Sequence, residues 1–141
     1  MLTPTRSSVR RSAILIVSLA LGLVLAACGG TTASGSDNTG GGTIAVVGGV
    51  AELSADDLAF DAATITAPAG QPFTIAFTNM EGVPHNFSVY TEEGGDVIAE
   101  GTIINEGETD EVEIEGLSAG EYFFVCDLHS GEMKGTLVVE G

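Results

Sequence analysis

The chain has 141 residues, enough for one domain, and sets 20 acidic residues against four basic ones. All three arginines precede residue 12 and Lys134 is the only later cation, so residues 28–141 hold twenty acids and one lysine, a formal charge of −19. That balance argues against nucleic acid, because nothing displaces phosphate counterions, and against electrostatic adhesion to anionic lipid.

At the N-terminus a basic stretch, "MLTPTRSSVRR", runs into an apolar one, "SAILIVSLALGLVLAA". The apolar run is too short, and too close to a small-residue junction, for a membrane span, and residues 1–27 read as a signal peptide. It ends in "LAAC", Leu25 to Cys28, which resembles the lipobox of bacterial lipoproteins. The resemblance implies cleavage before Cys28 and a diacylglyceryl group on its thiol. An ordinary secretory signal that leaves Cys28 free is the alternative, and Arg10–Arg11 match only a fragment of a twin-arginine signal. Each reading puts the domain outside the cytoplasm, and the first ties it to the cell membrane by lipid alone. Residues 28–42, with "GGTTASGSDNTGGG", form a flexible tether by composition. Fourteen such residues have an r.m.s. span of roughly 20 Å.

Residues 43–141 are a single β domain. "AELSADDLAF" suggests about one turn of helix, but the rest alternates with the strand period. "PFTIAFTN" places Phe73, Ile75 and Phe77 on one face; "DEVEIEGL" places Val112 and Ile114 opposite Glu111, Glu113 and Glu115. "TLVVEG" is a last strand, and turn signals such as "APAGQ", "EGVP", "EEGGD" and "LSAGE" separate the runs. Short strands at this spacing predict an all-β sandwich or barrel.

Both histidines and the one cysteine of the domain fall at strand ends or in one loop. In "VPHNFSVY", His85, Phe87 and Val89 share a face, so His85 opens a strand on its apolar side. In "GEYFFVCDLHSGEM", Tyr122, Phe124 and Cys126 share a face, and His129 and Met133 follow in the loop. If these two strands are antiparallel neighbours, His85, Cys126, His129 and Met133 meet at one end of the sandwich. Calcium and magnesium want oxygen donors, and structural zinc wants four strong Cys or His ligands. One thiolate, two imidazoles and a thioether suit a single copper ion that serves electron transfer. A disulfide from Cys126 to Cys28 is the competing use of the thiol, and it requires Cys28 unlipidated. Glu132, beside Met133, and Asp127 could each offer a metal a carboxylate, but both read better as turned to water. No Ser-His-Asp set is available, and "GGTIAVVGG" lacks the lysine and helix of a phosphate loop.

"VPHNF" and "GEYFFVCDLHSGEMKGTLVV" resemble the cupredoxins, the type 1 blue copper proteins, of plastocyanin-like kind. The resemblance implies a Greek-key β-sandwich with copper near one end. It implies His85, Cys126 and His129 as equatorial ligands and Met133 as the axial one. Asn86 matches a residue that braces the ligand loops by hydrogen bonds, and Tyr122 matches a tyrosine used in a corner contact. The spacing here is C-x2-H-x3-M, its second gap one residue shorter than in plastocyanins. The expected role is a one-electron shuttle, not an enzyme, with a redox protein as partner, such as a cytochrome or a copper oxidase, and no small-molecule substrate. An extracytoplasmic copper buffer or chaperone without a redox partner would use the same residues. Two histidines in all cannot build the second copper site that a copper oxidase or nitrite reductase needs.

Overall fold

The computed structural model describes residues 41–141. The expected signal peptide, Cys28 and the expected linker up to residue 40 lie outside the described residues. Ten strands follow: β1 (Gly42–Ala45), β2 (Val50–Asp56), β3 (Ala59–Phe60), β4 (Ala62–Pro68), β5 (Phe73–Asn79), β6 (Ser88–Tyr90), β7 (Val97–Glu100), β8 (Thr109–Ile114), β9 (Gly120–Val125) and β10 (Lys134–Glu140). The only helical element among the described residues is a 3₁₀ turn, Asp127–His129. No helix among them is long and apolar enough to cross a membrane.

The strands form two sheets. One has six strands in the order β1-β4-β10-β9-β6-β7, the other four in the order β3-β2-β5-β8. The chain passes repeatedly from one sheet to the other, giving the Greek-key sandwich expected of the sequence. Alternation is the cause: a half-buried strand points every second side chain inward. Phe73, Ile75 and Phe77 of β5 and Val112 and Ile114 of β8 are buried as predicted, while Glu111 and Glu113 are exposed.

"AELSADDLAF" is not helical. It is the β2–β3 hairpin, with Ala51, Leu53 and Ala55 buried on alternate positions and Ala55 paired with Phe60. Its alanine, leucine and glutamate suit a helix, but in-register parallel pairing with β5, Leu53 opposite Phe77, overrides that preference. Asp57 and Leu58 make the two-residue turn with φ of 53° and 56°, the positive φ at both positions that matches the twist of a hairpin.

The core lies between the sheets and is anchored by aromatic rings. Phe60 meets Phe77, Phe87 and Phe124 edge-on at centroid distances of 5.7, 6.0 and 5.5 Å. Phe87 and Phe124 lie 5.5 Å apart. Such pairs add about 0.5–1.5 kcal/mol each beyond the area they bury. Phe87 is two residues after His85 and Phe124 two before Cys126, so this cluster sets the layer directly beneath both. Tyr122 donates its hydroxyl to the Ser118 carbonyl at 3.0 Å, the expected corner contact. Gly135 pairs across the ladder with Phe124. A Cβ there would fall on the Phe124 ring and 2.5 Å from the Ala63 carbonyl oxygen. Gly135→Ala is therefore expected to destabilise the fold by about 1–3 kcal/mol, the usual cost of overpacking. A lowered urea midpoint with unchanged m-value checks this.

Candidate metal centre

β6 and β9 are antiparallel neighbours, with Ser88 opposite Val125 and Val89 opposite Phe124. Carrying that register two steps further brings Phe87 opposite Cys126 and then Asn86 opposite Asp127. His85 therefore reaches the end of the sandwich where Cys126 leaves β9, as the sequence required. One detail differs: β6 begins at Ser88, and His85 is held earlier by an isolated bridge to Ile104, N–H to carbonyl at 3.1 Å and back at 2.8 Å. Pro84 immediately before it has no N–H to extend a ladder.

Beyond Cys126 the chain folds tightly on itself. The His129 N–H donates to the Cys126 carbonyl at 3.0 Å, and the Met133 N–H to the His129 carbonyl at 2.9 Å. The Cys126 N–H closes the loop on the Met133 carbonyl at 2.9 Å. Spacing of three and four residues suffices because the 3₁₀ turn reverses the chain within them. His85, Cys126 and Met133 are fully buried and His129 is partly exposed.

Three of the four predicted donors converge. Cys126 Sγ lies 3.7 Å from His85 Nδ1 and 3.6 Å from His129 Nδ1, and the two nitrogens are 3.1 Å apart. A triangle with those sides has its equidistant point about 2.0 Å from each corner. Bonds of about 2.0–2.1 Å to imidazole and 2.3 Å to thiolate are normal for a metal of this size. The three atoms thus come within about 0.3 Å of the spacing that one small ion needs. Met133, buried and bonded through its backbone to Cys126 and His129, belongs to the same loop. Among the described residues this is the one cluster of three or more His, Cys, Asp or Glu side chains shaped for a metal.

The polar side chains beside the cluster clasp its two segments together. Asn86 Oδ1 accepts the Asp127 N–H at 2.9 Å, and Asn86 Nδ2 donates to Asp127 Oδ2 at 2.6 Å and to Ser88 Oγ at 3.2 Å. Asn86 thus links the segment that follows His85 to the one that follows Cys126. Asp127 does not simply face water. Its carboxylate also accepts the hydroxyls of Ser88 at 2.6 Å and Tyr90 at 2.7 Å. Burial raises the Asp127 pKa, but the bonds from Ser88, Asn86 and Tyr90 outweigh it and leave the net shift downward. Glu132 is exposed, as expected.

Glu81 is the residue that sequence reasoning passed over. Its Oε1 lies 2.9 Å from His85 Nε2. Its stretch, "EGVP", reads only as a turn. The remaining signal was an acid four residues before a ligand candidate, which has no meaning until the loop path is known.

The Asp127 carboxylate has one further consequence. The hydrogen bond to it, then burial and its charge, push the Tyr90 phenol from its ordinary value of 10.0 up to about 12. The fold favours the neutral phenol, so this contribution to stability is whole below pH 10 and is lost as pH rises through about 12. Ultraviolet titration of wild type minus Tyr90→Phe should show one phenol ionising near 12. Ionisation near the ordinary value in the folded protein would show the bond to Asp127 absent.

Comparison with known proteins agrees with this geometry. The sequence profile of the cupredoxin-like domain matches residues 18–139. Auracyanin-A of Chloroflexus aurantiacus is 31% identical over 159 aligned positions, covering 92% of this chain and 96% of that protein. The solved structure of auracyanin A, described as a "blue" copper protein from that bacterium, matches with a TM-score of 0.58 at 30% identity, over 70% of this chain and 100% of that one. Dithionite-reduced auracyanin from Roseiflexus castenholzii has a TM-score of 0.59 at 23% identity, over 66% of this chain and 98% of that one, and supports the fold. With its profile match, its near-complete alignment and two sheets that bring two imidazoles and a thiol to one end, the chain belongs to the cupredoxin family.

Proposed function

We propose that this protein is a one-electron carrier that works outside the cytoplasm with one type 1 copper. His85, Cys126 and His129 would hold the ion and Met133 would complete the set. The observation that carries the reading is the triangle of one sulfur and two Nδ1 atoms, its corners 3.1–3.7 Å apart. The blue copper description of auracyanin A, aligned with this chain at 30% identity, supports it. When bound, copper supplies the Cu(II)/Cu(I) couple. Soft sulfur suits the reduced ion and imidazole the oxidised one.

The chain's own part is to hold the donors still. His85, Cys126 and Met133 are fully buried, and the loop that carries the last two is closed by its own backbone bonds. Little has to move when an electron arrives or leaves. Burial also favours retention of the ion, and so favours the carrier over a buffer or chaperone that must release its cargo. His129, partly exposed, is the natural point of electron exit. Apolar side chains stand exposed on the two loops that carry the histidines, Met80 at 58%, Val83 at 38% and Leu128 at 47%. They offer a docking face to a redox protein such as a cytochrome or copper oxidase. The acidic charge would steer a basic partner toward it.

Protein given Cu(II) should turn intensely coloured through thiolate-to-copper charge transfer. Cys126→Ser should lose the colour, and Met133→Leu should keep it with a raised midpoint potential. A colourless copper-loaded wild type would end this reading. Stopped-flow mixing with a cytochrome should show electron exchange much faster than loss of copper to an acceptor protein, the reverse order being that of a buffer. Lipid attachment at Cys28 is part of the same proposal. Wild type should partition with membranes and Cys28→Ala should appear in the soluble extracytoplasmic fraction.

A further inference from the structure

Resting on the copper reading above, we infer that Glu81 is a positioning residue of the metal centre. Its carboxylate locks the His85 ring with Nδ1 bare toward the metal, and it biases the centre toward the oxidised ion.

The geometry is specific. His85 Nδ1 faces Cys126 Sγ at 3.7 Å and His129 Nδ1 at 3.1 Å, while Nε2, on the far side of the ring, lies 2.9 Å from Glu81 Oε1. A carboxylate only accepts, so Nε2 carries the proton and donates it to this bond. Nδ1 then keeps its lone pair for a metal. His85 is fully buried and the Glu81 side chain is 17% exposed, so water competes little for either partner.

Glu81 is itself held from three directions. Its Oε1 also accepts the Leu58 N–H at 2.7 Å, and its own N–H donates to Asn79 Oδ1 at 2.9 Å. Asn79, fully buried, donates through Nδ2 to the carbonyls of Val83 at 2.8 Å and Ile104 at 3.1 Å. Ile104 in turn exchanges backbone bonds with His85. The donor Leu58 sits at φ 56°, a region costly for a bulky side chain, which persists only where the surroundings over-determine it. The turn of a hairpin in one sheet thus fixes the acid that fixes a histidine leading into the other. His129 has no carboxylate partner of this kind among the described residues.

A carboxylate on the outer nitrogen makes the imidazole a stronger donor. A negative charge this close also stabilises the more positive of two metal states. Both effects favour Cu(II) and lower the potential relative to a neutral partner.

The test uses purified full-length protein as wild type, Glu81→Gln, which keeps an acceptor but loses the charge, and Glu81→Ala. Glu81→Gln should bind one copper and stay blue while its Cu(II)/Cu(I) equilibrium moves tenfold or more toward Cu(I), a rise of about 59 mV. In the copper-free protein, ¹⁵N NMR should show His85 protonated on Nε2 in wild type and a mixture of tautomers in Glu81→Ala. A blue Glu81→Gln with an unshifted potential overturns the inference and leaves the copper reading standing. So does a copper-free wild type with the His85 proton on Nδ1, a result that needs no variant to fold. A wild type that never turns blue defeats the copper reading instead, and the NMR then still decides whether Glu81 positions the ring.

Discussion

The register between β6 and β9 is the constraint on which the site depends. The chain continued beyond Ser88 and Val125 carries His85 and Cys126 on the inner face, with Asn86, Ser88 and Asp127 on the other. Because side chains alternate, a slip of one residue would turn every inward group out. Two interactions oppose that slip from opposite sides of the sheet. The Phe87–Phe124 pair, 5.5 Å apart, locks the inner face within a fully buried aromatic cluster. The Asn86–Asp127 clasp, two bonds at 2.9 and 2.6 Å, locks the outer face. A slipped register would expose a phenylalanine and bury a carboxylate stripped of three donors, each a costly exchange. The His85–Cys126 side of the donor triangle rests on this double lock, while the 3₁₀ turn after Cys126 places His129.

The sequence showed most of the scaffold because the scaffold obeys a local rule. Phe73, Ile75 and Phe77, or Val112 and Ile114, advertise an inward face by alternation alone. The donors were legible for a related reason: three of the four lie within eight residues, and the types in that stretch are scarce elsewhere in the chain. Where local composition and tertiary pairing disagree, reading fails. The segment before Asp57 has helix-forming residues, yet its parallel partner β5 makes it a strand. Glu81 and Asp127 were illegible for a different reason. Asp127 takes its partner Asn86 from 41 residues away, Glu81 is held by Leu58 from 23 residues away, and the four-residue step from Glu81 to His85 has no meaning until the loop path is known. Only the folded path brings those groups together, and acids in a chain holding 20 of them carry no mark of their own.

The two carboxylates divide the work around the cluster. Asp127 takes its three side-chain donors from β6 and the residues leading into it, and its role is to hold one segment against another. Its charge is spread over neutral donors, the reason it stays ionised more readily than a free carboxyl. Glu81 bonds one backbone amide and one imidazole, and the imidazole passes its influence to the opposite nitrogen. The first carboxylate fixes where the donors are, whereas the second bears on how strongly one of them donates.

That division explains why the two histidines are not equivalent. His85 is buried, bridged to Ile104 through its backbone and fastened at its outer nitrogen, so every degree of freedom of the ring is taken. His129 follows a short 3₁₀ turn, partly exposed, beside the exposed Leu128. The proposed carrier, which keeps its ion and passes electrons, needs both kinds of ligand. A fully buried set would leave a partner protein too far from the ion, and a fully exposed one would admit water and let the donors drift. Because the anchored histidine comes from one segment and the surface histidine from another, the fold can tune the first through Glu81 without disturbing the face that the second presents.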